Sequence, residues 1–217
     1  MNTSQTDDLI HRLAVNATAI RPLGRPWTRA LLWSVGALAY VAVVDWLWPE
    51  TSITTANPRF MWEQAAALTT GLTAAAVAFA TVVPGRSRRV AFLPLLPLAI
   101  WFVSVGQQCA QDWSASRSLP PILGHWACFP LTVLMGVIPS VAIVVMLRRG
   151  APLTPRLTTA LGALAVAGLA NFGVRFVHAA DASFVVLTWH LIAVFGLSLL
   201  LARLGDHVFR WRKTTLV

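Results

Sequence analysis

The chain has 217 residues, of which 57% are hydrophobic and only 12% charged, and its formal net charge is +9. Soluble domains average about 25% charged residues, so this composition cannot coat a globule and excludes an ordinary soluble enzyme or regulator. In a soluble protein the positive charge would point to nucleic acid. Here the basic residues sit between apolar runs of membrane-spanning length, where they set topology and touch anionic lipid. No basic-aromatic patch argues for direct contact with nucleic acid. No signal peptide is expected, because the first apolar run begins near Trp27 and others follow it.

Residues 1–26 are polar and precede the first run. Ser4-Gln5-Thr6-Asp7 fits a capping box, and Leu9, Ile10, Leu13, Ala14 and Ala17 then recur at helical spacing. The spacing predicts a short amphipathic helix that carries Asp7 and Asp8 in its first turn and ends before Arg21-Pro22. Such a helix lies on lipid or docks a cytoplasmic partner. Its only basic and imidazole groups are Arg12 and His11, fewer than a lipid-surface helix usually carries, which favours docking.

Six apolar runs follow, at 27–48, 60–83, 90–108, 126–147, 155–177 and 183–204. They predict an all-α polytopic bundle of six transmembrane helices, with an N-terminal segment 1–26, a membrane domain 27–204 and a basic tail 205–217. Short connections make sequential spans antiparallel neighbours. Of the 17 Lys and Arg residues, all but Arg59, Arg117 and Arg175 fall on one side, so both termini are expected in the cytoplasm. Asp45, Glu50, Glu63, Asp112, Asp181, His125, His178 and His190 then lie towards the outer side. Pro94, Pro97, Pro130 and Pro139 fall inside spans, where each can bend a helix. Gly71, Gly162 and Gly168, with many alanines, allow close helix packing. Asp45 and Asn171 are expected to form interhelical hydrogen bonds.

Between the third and fourth runs, a hairpin from Gly106 to Pro130 holds the only two cysteines, Cys109 and Cys128, on the outer side. A structural disulfide and a reversible thiol pair fit this placement equally. A metal site is the rival reading, with Cys109-x2-Asp112 and His125-x2-Cys128 offering S, O, N and S ligands. No cofactor is expected beyond a transient metal ion at the cysteine pair. No phosphate loop, His-Glu-x-x-His, Gly-x-Ser-x-Gly or Cys-x-x-Cys is present, which argues against an enzyme. The rival classes are a periplasm-facing thiol or metal oxidoreductase and a small transporter.

Several segments together carry a resemblance. They are Asp7-Asp8-Leu9-Ile10, Arg21-Pro22-Leu23, Pro84-Gly85-Arg86-Ser87-Arg88-Arg89-Val90, Pro94-Leu95-Leu96-Pro97-Leu98 and Cys109-Ala110-Gln111-Asp112-Trp113. Trp126-Ala127-Cys128-Phe129-Pro130-Leu131, Met146 to Pro152, Asp181-Ala182-Ser183 and Trp189-His190 continue the order. The chain resembles the NrsF family, six-span inner-membrane anti-sigma factors named as negative regulators of sigma F. The resemblance implies that the protein holds an extracytoplasmic-function sigma factor inactive. It also implies release on oxidant or heavy-metal stress linked to Cys109 and Cys128. Asp8, Leu9, Ile10 and Leu13 are the expected sigma-binding residues, with membrane lipid as the other partner.

Overall fold

A computed structural model describes residues 3–15, 23–48, 58–83, 88–116, 128–150 and 154–177, together with Gly85, Pro152, Gly196 and Arg203. Among the described residues the fold is all-helical: α1 (Thr3–Val15), α2 (Pro26–Leu47), α3 (Pro58–Ala80), α4 (Leu95–Ser116), α5 (Cys128–Arg148) and α6 (Pro155–Val177). A 3₁₀ turn, Arg88–Phe92, leads into α4. Helices α2, α3 and α6 each open on a proline, whose fixed φ suits the first helical position and whose missing N–H would find no partner there.

Among the described residues four stretches, Pro26–Leu47, Arg89–Gln111, Pro130–Arg148 and Pro155–Phe176, are long and apolar enough to cross a membrane, against the six expected along the chain. The expected span at 183–204 lies outside the described residues apart from Gly196 and Arg203. The expected span at 60–83 forms α3, which has the length but not the composition. It carries Arg59, Glu63, Gln64 and three threonines on a chain rich in small residues. A helix of that kind is suited to the interior of a bundle, and α3 packs against α2, α4 and α6.

The α3–α6 pair is the centre of the fold. The two run antiparallel, from Glu63 beside Arg175 at one end to Thr81 Oγ1 and Thr158 Oγ1, 2.9 Å apart, at the other. At their crossing a Cβ on Gly168 would stand 2.7 Å from the Gly71 nitrogen and 2.9 Å from the Ala67 carbonyl oxygen. The backbones touch there, which only small residues permit. Threonine hydroxyls on α3 are satisfied within the helix, Thr70 donating to the Ala66 carbonyl at 2.7 Å and Thr69 to Ala65 at 2.6 Å. The pair therefore has few polar groups left to expose.

Helix α5 lies on α2 and α6. Trp33 donates its indole N–H to the Pro139 carbonyl at 3.0 Å, and Tyr40 donates to the Leu134 carbonyl at 2.8 Å, so α2 holds α5 at its proline and in the turn before it. Of the four prolines expected to bend spans, only Pro139 is in a helix interior. Pro94 precedes α4, while Pro97 and Pro130 occupy first turns, where a missing N–H disrupts nothing. Sequential helices pack as expected for α2–α3, α3–α4 and α5–α6, whereas α4 packs chiefly on α3 and α5 on α2 and α6. Asp45 Oδ1 and Asn171 Oδ1, on the two residues expected to form interhelical hydrogen bonds, are each buried with no partner among the described residues.

Helix α1 starts at Thr3, so Asp7 and Asp8 fall in its second turn and not its first. Asp8 pairs there with Arg12 at 2.9 Å, one turn on.

Gly168→Val would push a branched side chain into the α3 backbone and should destabilise the protein by about 1–3 kcal/mol. Gly36→Ala, with nothing within 4 Å of its Cβ, should be neutral or stabilising. Unfolding midpoints of the two variants in detergent will separate the cases.

Candidate functional site

The expected hairpin at Cys109 is not a hairpin on its N-terminal side. Residues 106–116 continue α4 as helix. Nothing in Gly106-Gln107-Gln108-Cys109-Ala110-Gln111 stops one: there is no proline, and Gln and Ala are good helix formers that outweigh a single glycine. Cys109 sits on the edge of the stripe that α4 turns to the bundle, one turn beyond Val105 and two beyond Trp101. Val105 and Trp101 are buried against Ala66 and Ala67 of α3. Cys109 is half-buried and its thiol is free.

Cys128 is the first residue of α5, which starts at the same end of the bundle. The end assignment follows from the packing of the next turns, because Leu131 and Met135 lie against Val41 and Val44 near the C-terminus of α2. The side chains of Cys128 and Asp112 and the whole of His125 lie outside the described residues, as do His178, Asp181 and His190. The four-ligand metal set proposed from sequence is therefore outside what the structure describes. Among the described residues no three His, Cys, Asp or Glu side chains come together.

At the same end of the bundle as Cys109 the structure assembles charges that the sequence reading had placed on the outer side without joining them. Glu63 of α3 is 6% exposed. Arg175 of α6 reaches its Oε2 at 3.2 Å, Arg59 reaches Oε1 at 3.5 Å, and Ser104 of α4 donates to Oε1 at 3.2 Å. Arg59 also donates to the Ser104 carbonyl at 2.5 Å and to Gln111 Oε1 at 3.2 Å. An aromatic wall backs the cluster: the Arg175 guanidinium lies 5.6 Å from the Phe60 ring centre, and Phe176 meets both Phe60 and Phe172 edge-on. Gln64 ties the next position of α3 to the Phe172 carbonyl at 3.0 Å.

Part of this cluster had a sequence signal. Arg59 and Glu63 stand four apart, and an acid inside an apolar run is suspect by default. Nothing in the sequence tied Arg175 to residue 63, because that contact depends on how α3 and α6 pair.

The residues expected to bind sigma lie on α1. Leu9, Ile10 and Leu13 are at least half exposed on α1, with Asp8 held by Arg12 beside them.

Removing one partner of a buried ion pair leaves a charge uncompensated. Arg175→Leu should cost about 3–5 kcal/mol. Adding Glu63→Gln to that variant should recover part of the loss, and a double-mutant cycle on detergent unfolding will measure the coupling.

No curated relative and no solved structure matches the chain. The family model described as NrsF, negative regulator of sigma F, matches residues 13–211, nearly the whole length. The protein belongs to the NrsF family and is by that membership an anti-sigma factor, a negative regulator whose partner is a sigma factor.

Proposed function

We propose that the chain holds an extracytoplasmic-function sigma factor inactive at the inner membrane and releases it when oxidant or heavy metal acts on Cys109 and Cys128. The observation that carries this reading is the family match across residues 13–211, which names the regulatory role. The reading is regulatory, not catalytic.

The orientation comes from charge. Arg29, Arg148, Arg149 and Arg156 gather at one end of the bundle, and fewer basic residues lie at the other, where Cys109 is found. By the positive-inside rule the first end, both termini and α1 face the cytoplasm, and Cys109 faces the periplasm. In that compartment thiols oxidise readily. Two thiols that pair give up two protons and two electrons to the oxidant. A soft metal ion instead displaces the thiol protons to water and takes thiolate ligands. Cys109 and Asp112 are three apart on a helix, so they share a face, and His125 and Cys128 would complete a ligand set.

The sigma factor docks on the exposed apolar face of α1, at Leu9, Ile10 and Leu13, with Asp8 at its edge. The exposure of those three side chains supports this placement, and so does the low basic content of the helix. Membrane lipid covers the apolar outer faces of α2, α4 and α5. No direct contact with nucleic acid is needed. A tenfold fall in sigma affinity requires about 1.4 kcal/mol of coupling between the two ends.

Affinity capture from solubilised membranes should recover a sigma factor with the full chain and lose it when residues 1–20 are deleted. Cys109→Ser/Cys128→Ser should insert normally, retain the sigma factor and fail to release it on cadmium or peroxide stress. Release at the wild-type rate from that variant would remove the cysteines from the mechanism.

A further inference from the structure

A groove of about 630 Å³ runs between α3 and α4 on the outside of the bundle. We propose that it holds one anionic phospholipid, with the headgroup phosphate on Arg59 and an acyl chain along α4. The sidedness proposed above puts that lipid in the outer leaflet. The site itself depends on neither the sigma factor nor the cysteines.

The α4 wall is a single stripe. Leu96, Ala99, Ile100, Val103 and Gln107 recur every three or four residues, so they lie above one another along the helix. From Leu96 to Gln107 the helix rises about 16 Å. Half of a bilayer's hydrocarbon core is about 15 Å thick, so the stripe has the length of one acyl leaflet. It is also graded. Leu96, Ile100 and Val103 are apolar and exposed. Ser104 and Gln107 form the other end, together with Arg59 from α3. That end lies beside the exposed Trp62, at the depth where headgroups begin. A polar end at the interface and an apolar end towards the midplane match the orientation of a lipid molecule.

Arg59 is already fixed where a phosphate would meet it. Its Nε lies 3.5 Å from Glu63 Oε1, and its two terminal nitrogens donate to Gln111 Oε1 and to the Ser104 carbonyl. A guanidinium presents several N–H donors in a planar fork, so it can serve these acceptors and a phosphate oxygen together. The side chain is 28% exposed and lines the groove. Because the fold orders it beforehand, binding does not have to. The sign of the charge fits as well. Glu63 serves both Arg59 and Arg175, which gives two cations to one carboxylate among the described side chains. A phosphodiester supplies the opposite charge, whereas a zwitterionic headgroup brings a further cation with it.

The test uses the purified full-length chain in phosphatidylcholine nanodiscs. A trace of phosphatidylglycerol or phosphatidylcholine is added, each with the same photoactivatable diazirine in its acyl chain, and adducts are mapped by peptide mass spectrometry. On residues 96–107 the phosphatidylglycerol probe should label several-fold more than the phosphatidylcholine probe. On the exposed apolar stretch 133–145 of α5 the two probes should label equally. Arg59→Gln should bring the ratio on 96–107 down to that on 133–145. Val103→Trp fills the groove and leaves Arg59 in place, and it should lower the phosphatidylglycerol adducts on 96–107 several-fold. Equal labelling by both probes on 96–107 means ordinary boundary lipid and overturns the proposal. So does the absence of adducts there, which is the result if a second copy or another segment of the chain covers the groove. If Arg59→Gln does not yield folded protein, the probe ratio of the native chain and Val103→Trp decide. No sigma factor enters the assay, so failure to retain one would count against the regulatory reading and leave the lipid site standing.

Discussion

The fold depends on giving α3 a place away from lipid. Between membrane helices apolar burial supplies no driving force, because lipid tails are as apolar as leucine. A 23-residue helix with Arg59, Glu63, Gln64 and several threonines would be costly on the outside. Direct backbone contact between Gly71 and Gly168 brings α6 close enough to cover it, and α2 and α4 close the remaining sides. The outer helices then face lipid, and exposed valines, leucines and isoleucines on α2, α4 and α5 are what that position requires.

The two ends of the bundle differ in chemistry. At the arginine-rich end Arg29 donates to the Met146 carbonyl and lies 5.0 Å from the centre of the Phe79 ring, while Gly150 lets Val82 pack against the turn after α5. These contacts bind α2, α3 and α5 through one cation held by a carbonyl and a ring, and through apolar groups. At the Cys109 end α3 and α6 meet through formal charges that need one another, and α4 joins them through Ser104 and Gln111. An apolar contact loses a little when a helix shifts. A buried carboxylate with two cations loses much more, so this is the end at which a small displacement has a large energetic effect. Trp46, Trp48, Trp62 and Trp113 are all exposed at this end, where an interfacial aromatic belt belongs.

The sequence made the helical class, the apolar stretches, the amphipathic N-terminal helix and the family legible, because all of these follow from periodicity, run length and motif order. Three things were not legible. The Cys109 segment was expected as a hairpin because ligand-type residues drew attention away from its good helix propensity; it is the last turns of α4. The prolines were counted as bends by their position in apolar runs, but helix starts shifted by a few residues turned Pro97 and Pro130 into first-turn residues, leaving Pro139 alone in an interior. The Glu63 cluster required knowing that α3 and α6 run antiparallel with Gly71 against Gly168, a pairing that local pattern does not encode. Arg175 illustrates the point: in sequence it is a stray cation in an apolar run, and in the fold it is one of two cations on a buried acid.

Sidedness underlies the whole account, since stress chemistry and sigma binding must occur across the bilayer from each other. Intact spheroplasts and inverted vesicles carrying the full chain can be treated with a membrane-impermeant maleimide, followed by protease directed at an epitope on α1. The account predicts that the maleimide reaches Cys109 only in spheroplasts and that protease removes the α1 epitope only in inverted vesicles. Labelling of Cys109 and cleavage of α1 from the same side would contradict it.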